Sequence, residues 1–358
     1  MYKYAHGGDI HSLPIQEKQK IVDFSANINP FGIPSSVKKA VKESLQECIN
    51  YPDAFCRDLT KLTAQKNGVK SENIFFGNGA ADVLFRLTIA LRPKKALLLA
   101  PTFSDYEKAL KSVDCNISYY NLREEDDFLI QEDFLEALDA EYDIVVICNP
   151  NNPTGQLVGK ETIKKIANKC TENGIRLLID ECFMDFVIQE DEFSAIDFLA
   201  NEHIILKAFT KIYAIPGLRL GYCITKDLAL ITKMRQTGQD WNVSVPAQAA
   251  GIAACGEDAY VVKTVAYIAR ERAYLAEALT ELKIRPIPST TNFLLFHSPV
   301  TDLAKKLRKY GFLIRDCSNY HNLRKDYYRI AVKKHSDNKL LINALRKICS
   351  DENIISDY

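Results

Sequence analysis

Lys211 and Arg219 stand eight residues apart in the stretch with the most evident chemistry, Leu206-Lys-Ala-Phe-Thr-Lys-Ile-Tyr-Ala-Ile-Pro-Gly-Leu-Arg-Leu-Gly-Tyr222. Lys211 follows an apolar, strand-like run, and Arg219 lies between Gly217 and Gly221. A lysine held among Phe209, Ile212 and Tyr213 loses hydration, so its amine deprotonates more readily and can attack a carbonyl. The glycines let backbone come close to a ligand. A lysine taken alone is usually a solvated surface residue, so the case rests on its company elsewhere in the chain.

That company is specific. Asp180 closes the apolar run Ile175–Asp180, where a buried carboxylate can keep a pyridine nitrogen protonated. Gly77-Asn-Gly79 precedes a helix and offers backbone N–H groups to an anion at the positive helix end. Phe103, just after Pro101-Thr102, can cover a ring face, and the prolines of Asn149-Pro-Asn-Asn-Pro-Thr-Gly155 set a rigid turn that aims Asn152 at a ligand oxygen. Each has an ordinary structural explanation: an acid in a loop, a Gly turn, a core Phe, a surface turn. Together they supply a lysine, a carboxylate, a phosphate cup and an aromatic face. Pyridoxal 5′-phosphate (PLP) asks these four services of a protein.

The elements that must position these groups alternate. Strands are expected at 73–76, 95–100, 117–121, 143–148, 175–180, 203–206 and 220–224. Helices are expected at 37–48, 59–66, 80–91, 103–112, about 134–138, and 160–173. Continuous apolar runs alternating with helices predict an α/β fold with a mostly parallel seven-stranded sheet between helices. Gly77–Gly79, Asn152, Asp180 and Lys211 all fall at strand carboxyl ends, where such sheets bind ligands. After about residue 240 the pattern shifts to a long helix over 245–282, broken near Gly256. Strands at 291–296, 312–315 and 327–332 follow, with helices at 300–310 and 337–349. The expected organisation is an N-terminal arm (1–35) packing on the small domain and the active site, a large domain (36–240) and a small α+β domain (241–358).

Lys plus Arg and Asp plus Glu number 46 each among 358 residues, and a zero balance points to neither nucleic acid nor an anionic membrane as partner. No apolar run reaches membrane-spanning length, and the N-terminus lacks a signal-peptide core. The ten cysteines are scattered without a C-x-x-C pair, so a reduced, cytoplasmic protein without a metal site is expected.

The motifs N-P-N-N-P-T-G, D-E-x-F and T-K-x-x-x-x-P-G-L-R-L-G-Y, in this order and spacing, resemble the fold-type I PLP enzymes of the aspartate aminotransferase superfamily. The resemblance covers nearly the whole chain and implies that superfamily's PLP-dependent transferase fold. Two branches are near: histidinol-phosphate aminotransferases, and L-threonine-O-3-phosphate decarboxylases of cobalamin synthesis. His6–Ile10, Asp23–Pro30, Tyr51-Pro-Asp53, Thr210–Arg219, Trp241–Ser244 and Ile314–Tyr320 resemble the decarboxylases more.

What the resemblance implies is concrete. Lys211 would condense with the cofactor aldehyde, and Asp180 would face the pyridine nitrogen. Asn152 would meet the phenolic oxygen, and Phe103 would stack on the ring. Arg219, Thr210 and the turn from Gly79 to the amides of Ala80 and Ala81 would hold the cofactor phosphate. Tyr51 would reach that phosphate from a partner subunit, which implies a homodimer. Arg329 would grip the substrate α-carboxylate, and His6, Asn27 and Arg315 the phosphate of a small phosphorylated amino acid or amine. Ala81 and Ala208 replace hydroxyls usual in relatives facing the cofactor phosphate, and Phe183 replaces a tyrosine used by many aminotransferases. Decarboxylation and transamination differ in which bond at the substrate's α-carbon is held perpendicular to the ring, a matter of positioning that no motif reports.

Overall fold

The computed structural model describes residues 6–14 and 21–355; residues 1–5 and 15–20 of the expected arm lie outside the described residues. The described strands are β1 (Val22–Asp23), β2 (Ile74–Gly77), β3 (Lys95–Ala100), β4 (Asn116–Asn121), β5 (Ile144–Cys148), β6 (Arg176–Asp180) and β7 (His203–Ala208). They continue as β8 (Gly221–Thr225), β9 (Arg285–Pro286), β10 (Phe293–His297), β11 (Phe312–Leu313), β12 (Arg315–Asp316) and β13 (Tyr327–Ala331).

The central sheet runs β2-β8-β7-β6-β5-β3-β4. Its pairs from β7 through β6, β5 and β3 to β4 are parallel, and β8 lies antiparallel to both β7 and β2. Alternate residues of each buried strand feed opposite layers. Leu97, Leu99, Val145, Ile147, Leu177 and Ile179 enter one apolar cluster. Ala96, Leu98, Ile144, Val146 and Leu178 enter the other. This period-two division between two covered faces is why these strands read as unbroken apolar runs. The class is α/β, as the sequence pattern predicts.

A four-stranded antiparallel sheet, β12-β13-β10-β9, carries the C-terminal part. Residues 312–315, expected as one strand, divide instead. Phe312 and Leu313 pair in parallel with Val22 and Asp23, whereas Arg315 and Asp316 pair with β13. The chain thus changes sheet within four residues and ties its beginning to its end. The predicted long helix is two, Val245–Ala254 and Asp258–Glu281, with the break at Gly256. Helix Leu228–Gln236, absent from the sequence reading, is capped by Asp227, whose carboxylate accepts from the amide of Leu230. Residues 134–138 make only a 3₁₀ turn over Glu132–Leu135.

Candidate active site

The parallel strands aim their carboxyl ends at one cavity of about 560 Å³. Lys211, Asp180, Asn152, Phe103, Thr210, Arg219, Ala80, Ala81, His6, Asn27, Arg315 and Arg329 all line it, so most of the candidate residues come together in one place. Gly79 adjoins it as the residue before helix Ala80–Leu91, and Tyr51 lies elsewhere.

Asp180 ends β6 and is 6% exposed. Its Oδ2 accepts the phenol of Tyr106 at 2.5 Å, and its Oδ1 accepts the amide of Cys182 at 2.9 Å. Burial, and next the Asp180 charge, hold the Tyr106 pKa well above its ordinary value, so that phenol is a permanent donor. The carboxylate is thereby fixed in direction while buried.

Lys211 sits just beyond β7, its Nζ 3.0 Å from the Thr210 hydroxyl and 5.7 Å from the centre of the Phe183 ring. Burial lowers its pKa. Cys182 and Asp180 pull it back upward, and Arg219 and Arg329 push it down further. The result is an amine disposed to be neutral and nucleophilic.

The phosphate cup is built by backbone. Gly79 has φ +86°, and a Cβ there would meet Arg219 Nη2 at 2.5 Å. A Cβ on Gly221 would meet the amide nitrogen of Ala80 at 2.3 Å. Only glycine fits either position. No side chain caps the helix that starts at Ala80, so its first amides stay available at the positive end. Arg219 itself holds φ +59°, and its Nη1 donates to the Pro216 carbonyl at 3.1 Å. A non-glycine residue in that region is a strained feature of the kind that gathers at ligand sites. Ala81 lines the cavity, and Ala208 lies in the buried cluster with Leu84 and Leu206, both of which also line it.

At the opposite end Arg329, 5% exposed, donates from Nη1 to Asn152 Oδ1 and from Nη2 to the Ser25 carbonyl at 3.0 Å. Its guanidinium lies 5.3 Å from the Phe293 ring centre. Asn152, expected at a cofactor oxygen, is therefore also the positioner of this arginine. His6 Nε2 lies 3.0 Å from Asp105 Oδ1, and the His6 and Phe103 ring centres are 5.6 Å apart. Arg315 donates to Asn319 at 2.6 Å and lies over Tyr320. Among the described residues the buried Oδ1 of Asn27 and Nε of Arg329 have no hydrogen-bond partner, as groups awaiting a ligand would.

Sequence reasoning missed Tyr106, Cys182, Asp23, Tyr320 and Lys333, which also line the cavity. Tyr106 was findable, three residues after Phe103 on one helical face. Asp23 and Lys333 were not, because an arm expected to pack on the small domain carries no local sign of which of its residues face the cavity. Tyr51 is 77% exposed and stacks on Trp241 at 4.4 Å, away from the cavity of its own chain.

A nucleophilic lysine and a buried, doubly held carboxylate share one cavity with an open helix N-terminus at one end. Together these define a PLP-dependent enzyme of the α/β kind. The chain belongs to the class I and II aminotransferase family, whose model matches residues 19–348. It is 36% identical over 356 residues to threonine-phosphate decarboxylase of Salmonella typhimurium, covering 97% of each chain. The structure of histidinol-phosphate aminotransferase from Clostridium acetobutylicum superposes with a TM-score of 0.87 at 29% identity, covering 92% of this chain and all of that one. L-threonine-O-3-phosphate decarboxylase from Porphyromonas gingivalis superposes with a TM-score of 0.80 at 26% identity, covering 91% and 99%. The cofactor is PLP, as the donor set anticipates. Among the described residues no helix is long and apolar enough to cross a membrane.

Proposed function

We propose that the chain decarboxylates L-threonine O-3-phosphate to (R)-1-amino-2-propanol O-2-phosphate, the reaction assigned to cobalamin synthesis by the resemblance. The observation that carries this reading is the cationic end of the cavity. Beyond Arg329, which suffices for an α-carboxylate, stand Arg315 and His6 with the buried amide of Asn27. A substrate bearing both a carboxylate and a phosphate uses all of them. The full-length similarity to the Salmonella enzyme supports the same choice.

In this reading Lys211 would hold the cofactor aldehyde, and Asp180, oriented by Tyr106, would serve the ring nitrogen. Phe103 would cover the ring, and Arg219 with Thr210 and the amides of Ala80 and Ala81 would hold the cofactor phosphate. PLP, when bound, supplies an electron sink for the bond broken at the substrate's α-carbon. The residues decide which bond that is. Arg329, braced by Asn152 and the Ser25 carbonyl, holds the carboxylate, and the phosphate-binding set fixes the other end, so the substrate has little freedom to turn. Lys211 then stands as the group able to move a proton at that carbon.

A second copy completes the site. Leu45, Ile49, Tyr51, Phe55 and Trp241 are exposed at 49% or more. So many large apolar side chains on one surface region favour burial against a partner, and Tyr51 would reach the partner's cofactor phosphate from there. Ten free cysteines fit a reducing, cytoplasmic compartment.

Purified, PLP-loaded protein should release carbon dioxide from L-threonine O-3-phosphate without a 2-oxo acid. A requirement for 2-oxoglutarate, with no carbon dioxide formed, would show the alternative, an aminotransferase of the histidinol-phosphate type. The similarity to the Clostridium structure keeps that alternative in view.

A further inference from the structure

Lys333 lines the cavity but has no part in the scheme above. It follows the end of β13, two residues after Ala331. Its backbone is clamped on both sides by the fully buried Asn338. The Lys333 amide donates to Asn338 Oδ1 at 3.0 Å, and Asn338 Nδ2 donates to the Lys333 carbonyl at 2.9 Å. Asn338 Nδ2 also donates to Glu271 Oε2 at 3.1 Å. The residue's root is therefore fixed, and only its side chain can adjust.

Among the described residues, no carboxylate lies within ion-pairing distance of the Lys333 ammonium. Burial lowers its pKa, and Asp23 and Asp337 pull it upward from a distance. Asp23 is engaged elsewhere, its Oδ1 accepting the Ser25 amide at 2.7 Å and the Ser25 hydroxyl at 2.6 Å. A desolvated cation facing a cavity without a close partner is costly, and an anion relieves that cost.

The remaining charges show which anion is wanted. The charged groups that line the cavity are Arg219, Arg315, Arg329 and Lys333, with Lys211 disposed to be neutral, against Asp23, Asp105 and Asp180. In the proposed function Lys211 and Arg219 serve the cofactor, Asp180 its ring, and Asp105 pairs with His6. That leaves Arg329, Arg315 and Lys333 to meet the substrate. With the Asp23 carboxylate beside them, these three cations leave a net of two positive charges, and one carboxylate with one phosphomonoester, the latter carrying about −1.5 to −2 at neutral pH, brings enough negative charge to engage all three. We infer that Lys333 is a substrate-binding residue that takes the second charge of the phosphate, so that the site selects phosphomonoesters over unphosphorylated amino acids. The inference rests on the proposed function for the identity of the substrate, although not for the existence of the anion site.

The test uses inorganic phosphate as probe on the PLP-loaded protein, followed by calorimetry, with steady-state kinetics alongside. Lys333→Met should weaken phosphate binding about tenfold to a hundredfold, the range of one charge-assisted hydrogen bond, whereas Lys333→Arg should keep most of it. The Michaelis constant for L-threonine O-3-phosphate should rise more than kcat falls. Equal phosphate affinity in wild type and Lys333→Met overturns the inference, as does an absence of saturable phosphate binding by wild type. If Lys333→Met fails to load PLP, Lys333→Gln is measured in the same way. Phosphate binding that depends on Lys333, in a protein that leaves threonine phosphate untouched, refutes the proposed reaction and keeps the anion site.

Discussion

Tyr106 and Asp180 form a buried pair in which the phenol donates to the carboxylate at 2.5 Å. The two belong to different layers of the molecule, one on the helix Ser104–Lys111 and the other at the end of β6. Tyr106→Phe should leave the fold intact but free one carboxylate oxygen. A hydrogen bond to a charged group contributes about 1.5–3 kcal/mol, so PLP should dissociate roughly tenfold or more faster or more weakly held. Cofactor release followed by absorbance checks this, and unchanged affinity would separate Tyr106 from the cofactor altogether.

Lys211→Ala should abolish turnover while some PLP still binds through the phosphate cup. Borohydride reduction followed by mass spectrometry should find the cofactor adduct on wild type and not on the variant. Burial lowers the Lys211 pKa from 10.5, so the folded chain binds this proton more weakly than the unfolded chain does. The cofactor-free protein is therefore penalised below the folded pKa, and the penalty is relieved as pH rises toward 10.5. Cofactor-free Lys211→Met should accordingly melt higher than wild type at pH 7, with the gap closing in alkali. A gap that widens with pH would contradict the assigned direction.

Arg329→Lys keeps the charge but cannot hold Asn152 and the Ser25 carbonyl in one plane while presenting a fork to a carboxylate. Loss of about 10²-fold in kcat/KM is expected, about 2.7 kcal/mol of positioning. Asn152→Ala should reproduce part of it by releasing the arginine. Kinetics on the two single variants and the double variant would reveal non-additivity if they act together, and strict additivity would mean that they do not.

A second buried network lies behind the catalytic strand. Lys207, 6% exposed, stands 3.2 Å from Asp185. Burial pushes the nearby Glu190 up to about 7, with Lys207 opposing and Asp185 adding to the rise. Folding therefore holds the Glu190 proton more tightly than the unfolded chain does. Its stabilising contribution is complete below pH 4.5 and is lost as pH rises through about 7. Glu190→Gln stays neutral, so its melting temperature should gain on wild type between pH 5 and pH 8. Parallel curves across that range would refute the shift.

Ile49→Glu or Trp241→Glu should convert a dimer to monomers and reduce PLP affinity with it, because Tyr51 would no longer reach its partner's phosphate. Sedimentation of wild type as a monomer at micromolar concentration would remove that role from Tyr51.

The legible part of the fold was the part written in local pattern. Lys211, Asp180, Asn152 and Phe103 each follow an apolar run within a few residues, and a parallel sheet puts all such positions at one edge. Contacts between distant segments left no such trace. Ser25 gives no sign that its carbonyl will meet Arg329, nor Asp105 that it will meet His6. Residues 312–315 look like one strand, and only the pairing partners reveal that this stretch serves two sheets.

The parallel pairing of Val22 with Phe312, and the grip of Arg329 on Ser25, have a bearing on biosynthesis. The ribosome delivers the first of these partners long before the second, so the half of the cavity that receives substrate cannot exist on a nascent chain. This chain's own cofactor-binding residues, from Gly79 to Arg219, are all synthesised well before that. A growing polypeptide that captures vitamin B6 early would therefore hold its reactive aldehyde without a wall to confine other amines until translation nears its end.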